Sequence, residues 1–312
     1  MTGSEIQKRP APAKAAWAPA VAFAISVVAT LAFWLLLPRD LHGNESSDYQ
    51  AFHEPAARSI LEGHWFRLPD GAPAVRYPPG YPLLLAGLFR AADLLNLPET
   101  TVVSGFTLLS MASASVLLFW LADSLWGTLP ALACSLLWAT YPFALWLTKQ
   151  PNTEIPFVVL LFSSFLLFWR SLHHGDRRGL AWFGAGLLAG VAALVRPLAV
   201  GLGPLLAASS LFLGPARPLR VRAFSAASLL LGCALALAPW QLWLARNGPQ
   251  AVVLSDNGAT SVRDGLTFAV DSKGYRQGAL VSPEVRLWME EIQTQAGRLQ
   301  SGDDILDDIH CR

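Results

Sequence analysis

The chain has 312 residues, 53% of them hydrophobic and 14% charged, with 12 Trp and a positive mean hydropathy. A soluble domain carries about 25% charged residues, so the composition excludes one, and the same apolar content excludes disorder. A formal charge of +1, from 23 basic and 22 acidic residues, leaves no basic surplus for nucleic-acid phosphates.

About 165 apolar residues suffice for six or seven spans of about 20 residues. The first run, 17–37, follows a basic leader with Lys8, Arg9 and Lys14. It is longer than a signal-peptide core and reads as a retained signal anchor. Further runs occupy 101–121, 128–147, 155–171, 180–195, 198–214 and 223–244. A single helix over 180–214 would be about 52 Å long, beyond a hydrocarbon core of about 30 Å. Two spans meeting at Arg196-Pro197 fit better.

Residues 82–97 are short for a span and carry Arg90 and Asp93, each costing about 2.5–3.5 kcal/mol at a bilayer centre. Arg90, Asp93 and Asn96 recur every three residues, leaving Leu84, Leu85, Leu88, Phe89, Ala92 and Leu95 on the other face. This predicts an interfacial amphipathic helix. With that helix lying flat and 180–214 split, the leader, the loop with Arg170, Arg177 and Arg178, and the loop with Arg217, Arg220 and Arg222 share one side. Basic short loops face the cytoplasm. The expectation is therefore an all-α polytopic membrane protein of about seven spans with its N-terminus inside. Trp17, Trp34, Trp120, Trp126, Trp146, Trp169, Trp182, Trp240 and Trp243 then fall near span ends as an aromatic belt.

This topology sends loop 38–81, the turn 149–154, the junction at Arg196 and everything after Ala245 to the extracytoplasmic side. The long first loop carries Asp48, Tyr49, Ala51, Ala57, Leu61 and Gly63, the pattern of a short helix capped at Gly63. Ser46 or Ser47 would cap its start, with Asp48 in the first turn. There the helix dipole favours an ionised carboxylate, so Asp48 serves as a capping group or as a base. The adjacent His53 and Glu54 are a thin donor set for a metal and read as solvated surface.

Arg76-Tyr77-Pro78-Pro79-Gly80-Tyr81-Pro82 is a rigid turn into the interfacial helix. It holds Arg76 at the membrane surface, either snorkelling or within reach of a lipid phosphate. Glu154 stands at the mouth of an otherwise uncharged span, where Thr153 or Asn152 caps the helix and Glu154 suits the dipole. An ionisable group at a bundle edge is also a functional candidate, as is Arg196, which breaks an apolar stretch on the same side. Arg246-Asn247 reads as an interfacial anchor or a further phosphate ligand.

Other patterns carry less. Gly184, Gly186 and Gly190 follow no strand and mark helix packing, not a nucleotide loop. Asp303, Asp304, Asp307 and Asp308 form a solvated cluster in a polar tail, and His173-His174 lies in a basic loop. Cys134 and Cys233 sit inside apolar runs and Cys311 is penultimate, so no disulfide framework exists.

The order of these features resembles the GT-C membrane glycosyltransferases, most closely bacterial glycosyltransferase family 39, related to protein O-mannosyltransferases and the lipid A aminoarabinose transferase. The residues that carry it are Asp48-Tyr49, the turn from Arg76 to Tyr81, Thr153-Glu154, Arg196-Pro197, Pro239-Trp240 with Arg246-Asn247, and Asn257-Gly258 with Gly265. The resemblance covers about residues 16–268. It implies a polyprenyl-phosphate sugar donor, an extracytoplasmic acceptor hydroxyl on a glycan, lipid or protein, inversion at the anomeric carbon, and a bacterial inner-membrane location. By position it makes Asp48 the base or acceptor-orienting acid, Arg76, Arg196 and Arg246 donor-phosphate ligands, and Tyr49 and Tyr81 parts of the substrate loop. The family's acidic pair is Ser47-Asp48 here, so a second carboxylate must come from Glu45, Glu54 or Glu154. No cofactor is implied and no divalent metal is indicated.

The expected organisation is a cytoplasmic leader (1–15), a transmembrane module (16–247) and an extracytoplasmic polar tail (248–312) with a helix-like stretch at 283–299. Family members continue through further spans, so the resemblance also implies a truncated chain or a short form acting with a partner. A transporter or flippase of lipid-linked sugar and a catalytically inactive scaffold are the competing readings. Transporter sites lie near the midplane on broken helices, whereas these polar groups collect at one surface.

Overall fold

The computed structural model describes residues 17–37, 48–68, 70–174, 179–213, 218–248, 252, 254 and 255. Among them the chain is helical without strands, apart from one isolated bridge between Arg67 and Pro73. The helices are α1 (Ala18–Leu36), α2 (Glu54–Leu61), α3 (Gly80–Leu95), α4 (Glu99–Trp126), α5 (Thr128–Ala139), α6 (Pro142–Leu147), α7 (Glu154–His174), α8 (Leu180–Val195), α9 (Leu202–Phe212) and α10 (Leu219–Asn247). A π turn, Tyr49–His53, leads into α2, and a 3-10 turn, Pro197–Gly201, leads into α9.

All seven expected apolar runs are helical, and the chain is a polytopic membrane protein. α1, α4, α7 and α10 are long and apolar enough to cross a bilayer, while α5, α8 and 197–212 are shorter apolar helices. The expected single span 128–147 is corrected: it breaks into α5 and α6. Pro142 is the cause, because the residue before a proline is pushed from helical to extended backbone, and Tyr141 has ψ 114°. The same effect ends α8, where Arg196 before Pro197 is extended at φ −138°, ψ 119°. The break expected there is present.

The helix ends sort into two groups. At one end the start of α1 (Ala18, Ala22) packs on Phe119 and Ala122 of α4 and Ala131 of α5. Arg170 of α7 lies over Trp120, and Arg222 of α10 donates to the Leu211 carbonyl of α9. At the other end Trp34 Nε1 donates to Thr148 Oγ1 at 2.8 Å, and α2 joins α4 through Arg58 and Glu99.

α3 lies across the second end rather than through the bundle. A Cβ at Gly80, its first residue, would meet the Leu194 carbonyl in the last turn of α8, while Phe89 clusters with Val103 in the first turns of α4. Both contacts are at the same end. Leu85, Phe89 and Ala92 are buried and Arg90, Asp93 and Asn96 exposed, as the three-residue repeat predicts, except that Leu95 is exposed beside the left-handed C-cap Asn96.

The tightest packing is between α8 and α10, where a Cβ at Gly186 would run into the Leu229 carbonyl and one at Gly232 into that of Phe183. Helices in lipid gain little by burying apolar area against one another, so close backbone approach through small residues substitutes for it. Two belt tryptophans are corrected by this core. Trp182 and Trp240 are 1% and 2% exposed, Trp182 edge-on to Phe168 and Trp240 stacked on Trp243 with its Nε1 donating to the Leu254 carbonyl at 2.8 Å. That bond satisfies the buried Trp240 N–H, whereas the Trp182 Nε1 has no partner among the described residues.

Candidate active site

The expected short helix in the first loop exists, and Gly63 follows it at φ +83°. Its entry is wider than an α-turn: the Glu54 N–H bonds to the Tyr49 carbonyl, five residues back. Single π turns of this kind recur at functional sites. This one turns both Phe52 and His53 into the interior, at 3% and 5% exposure. Asp48 precedes the turn and makes no capping bond through its side chain. Ser46, Ser47 and Glu45 lie outside the described residues, as do the segments after 255.

Asp48 instead faces the turn before α3. The Tyr77 phenol is pushed up in pKa first by burial and then by interaction with the Asp48 carboxylate, with Arg76 pulling the other way. The Arg76 guanidinium is exposed and sits 5.7 Å from the Tyr77 ring centre. Asp48, Tyr77 and Arg76 are therefore neighbours.

His53 corrects the solvated-surface reading of the sequence. Its ring is enclosed by Phe52 (5.5 Å), Tyr77 (4.9 Å) and Tyr81 (5.1 Å between centres). Its Nδ1 is buried without a hydrogen-bond partner among the described residues. Burial lowers its pKa to about 4 against the opposing pull of Asp48 and Glu154, so the imidazole is neutral at physiological pH. Both carboxylates act on His53, so Glu154 and Asp48 lie within electrostatic range of the same ring. Tyr81, 3% exposed, has its phenol raised by burial first, then by Tyr49 and Glu154.

Glu154 pairs with Arg196 at 2.6 Å, with Thr153 Oγ1 3.4 Å from the guanidinium. Each partner is about one-third exposed. Helix capping is done by Asn152, whose Oδ1 accepts from the Ile155 N–H at 3.2 Å. Glu154 is thus free of that duty and oriented by a cation 42 residues away.

Glu54 and Tyr49 face a different network. Arg58 bonds both carboxylate oxygens of Glu99 at 2.6 Å and Glu54 at 3.1 Å, and lies 4.5 Å over the Phe89 ring. Tyr49 beside it is raised to about 12, by burial and then by Glu54. Arg246 is apart from all of these: it is exposed in the last turn of α10 and forms no ion pair among the described residues. The cation that reaches this helix end from the first loop is Arg67, 3.4 Å from Asn247 Oδ1.

The structure therefore collects Arg76, Asp48, Tyr81, Glu154 and Arg196 at one end of the bundle, adds Tyr77 and His53, places Tyr49 toward a neighbouring network and leaves Arg246 outside. His53 was legible only as the polar member of the buried run Phe52-His53 ahead of Ala56-Ala57, and Tyr77 only as part of the proline-rich turn. No group of three or more metal-ligating side chains occurs among the described residues.

The family model described as dolichyl-phosphate-mannose-protein mannosyltransferase matches residues 77–243, more than half of the chain. The chain belongs to this family. It is accordingly a GT-C membrane glycosyltransferase with a lipid-linked sugar donor. No curated protein and no solved structure matches it. The family match contains Tyr77, Tyr81, Glu154 and Arg196, while Asp48, Tyr49, His53, Arg76 and Arg246 lie outside it.

Proposed function

We propose that the protein transfers a sugar from a polyprenyl-phosphate donor to the hydroxyl of an extracytoplasmic acceptor, with inversion, at a bacterial inner membrane. The observation that carries this reading is that Asp48 and Glu154 both act on His53, with Arg76 beside Tyr77 and Arg196 paired to Glu154, at one end of the bundle of a GT-C glycosyltransferase. Polar groups at one end suit chemistry at a membrane surface, in contrast to the midplane sites of transporters.

In this mechanism Asp48 takes the proton of the acceptor hydroxyl as its oxygen attacks the anomeric carbon from the face opposite the phosphate. The bond from that carbon to the phosphate oxygen breaks, and polyprenyl phosphate leaves with the bonding pair. A base must lie within hydrogen-bond reach of the proton it removes. Asp48 suits this role as a carboxylate facing the neutral His53 and Tyr77, with Arg76 beside Tyr77. Glu154 is the second carboxylate that Ser47-Asp48 lacks, and orients the acceptor. Arg76 and Arg196 stabilise the departing phosphate, the largest electrostatic demand of the step. Arg246 serves at most as an outer phosphate contact.

Arg170, Arg220 and Arg222 at the opposite end support an extracytoplasmic orientation of the site under the positive-inside rule. Asp48→Asn keeps the side-chain shape and removes the base, so it should lower transfer by at least about 100-fold, the range of general-base contributions, with expression and insertion intact. Undiminished transfer by that variant would remove Asp48 from the mechanism.

A further inference from the structure

A cleft of about 370 Å³ opens between the π turn and α2, the first turns of α4, and the turn before α7. Its walls carry Tyr49, Glu54, Glu99, Thr100, Ser104 and Lys149. It is distinct from the Asp48–His53–Glu154 cluster but touches the same segments: Tyr49 follows Asp48, and the wall residues 148–151 precede Asn152, which caps the helix that Glu154 begins. A group held here lies between the chain segments that bear the two carboxylates.

The chemistry of the walls selects what fits. Glu54 and Glu99 are matched by Arg58 behind them and by Lys149, whose Nζ is 3.4 Å from the Trp34 carbonyl. No positive charge is left over, and the carboxylates of Glu54 and Glu99, each about one-third exposed, repel an anion, which disfavours phosphate. Both Glu99 oxygens are engaged by one cation yet retain lone pairs for hydroxyl donors. Thr100 and Ser104, one turn apart on α4, present exposed hydroxyls that donate and accept, and Phe89, Val103 and Pro151 supply an apolar floor. Such a mixture suits a ring with hydroxyls on its edge and C–H groups on its face.

We propose that this cleft is a glycosyl-binding site that holds a neutral, polyhydroxylated moiety beside the reacting centre. The inference rests on the transfer reading above and adds the place and chemical class of the ligand. Two sources supply that chemistry: the sugar of the lipid-linked donor, or a glycan acceptor.

The test places a photoreactive diazirine amino acid at Ser104 in the full-length chain within its native membranes, with exposed Leu109 as the comparison position, and reads adduct masses after irradiation. Adducts at Ser104 carrying a pentose or hexose mass, absent at Leu109, are expected. A sugar still joined to polyprenyl phosphate identifies the donor as the source, and a sugar without it identifies the acceptor. Adducts at Ser104 limited to acyl lipid or peptide, or none while Leu109 is labelled, would overturn the proposal. Transfer activity measured in the same membranes separates the two readings. Transfer without a sugar adduct removes this site alone, and a sugar adduct without transfer removes the enzymatic reading while the site stands.

Discussion

Replacing His53 removes a buried group whose protonation opposes folding. In the folded protein its pKa is lowered to about 4 by burial between Phe52, Tyr77 and Tyr81, whereas the unfolded chain has the ordinary value of 6.5. As pH falls through 6.5 the unfolded chain takes up the proton and the folded one does not. Stability associated with neutral His53 is therefore intact above pH 6.5 and is lost between 6.5 and 4. At about 1.4 kcal/mol per pH unit the full loss is about 3 kcal/mol, and about 2 kcal/mol of it is reached by pH 5. His53→Phe keeps an aromatic ring in the same enclosure and His53→Gln keeps a neutral polar group, and neither binds the proton. The nearby Asp48 and Glu154 remain in all three proteins, so only the histidine component differs. Thermal unfolding in detergent, followed by tryptophan fluorescence at pH 7.5 and pH 5, should show a loss on acidification that is about 2 kcal/mol larger in the wild type than in either variant. The comparison is between slopes, so a fixed cost of substitution does not enter. Parallel loss in all three proteins would refute the reasoning, because it would mean that His53 titrates as a solvated side chain.

Arg196→Ala should change stability by at most about 1 kcal/mol, because its pair with Glu154 is about one-third exposed. Donor-lipid affinity should nonetheless fall about tenfold or more, the worth of a charged hydrogen bond, while Arg246→Ala should leave donor binding within about twofold; equal effects in a binding titration would contradict the separation of the two cations. Gly186→Leu forces α8 away from the Leu229 carbonyl of α10 and should destabilise the bundle by more than the 1–3 kcal/mol typical of overpacking. An unchanged melting temperature would show that these helices do not meet as closely as described. Single cysteines at Glu154 and Arg177 should be labelled from opposite faces of sealed membranes, and labelling of both from one face would overturn the orientation.

Local signals along the chain determined the elements of this protein. Twenty-residue apolar runs must satisfy their backbone as helices in lipid, charges at three-residue spacing kept α3 out of the bundle, and a proline after Arg196 broke the helix because the constraint is covalent. Pro142 carried the same local signal and divided 128–147 in two. Gly63 and Gly186 were legible for similar reasons, one through backbone freedom and the other through small-residue spacing.

What only the tertiary structure decided is which helix ends meet and how deeply each side chain is enclosed. Arg58 and Glu99 are 41 residues apart, and Glu154 and Arg196 are 42 apart, with no periodicity linking either pair. Arg196 and Arg246 share one side in the sequence-derived topology, yet only Arg196 reaches the carboxylate cluster, since sidedness fixes depth in the membrane and not lateral position. Trp182, Trp240 and His53 have compositions that suit a surface, and they are buried because neighbours from distant segments close over them. Local sequence signals determined the helices; the packing of those helices against one another determined the site.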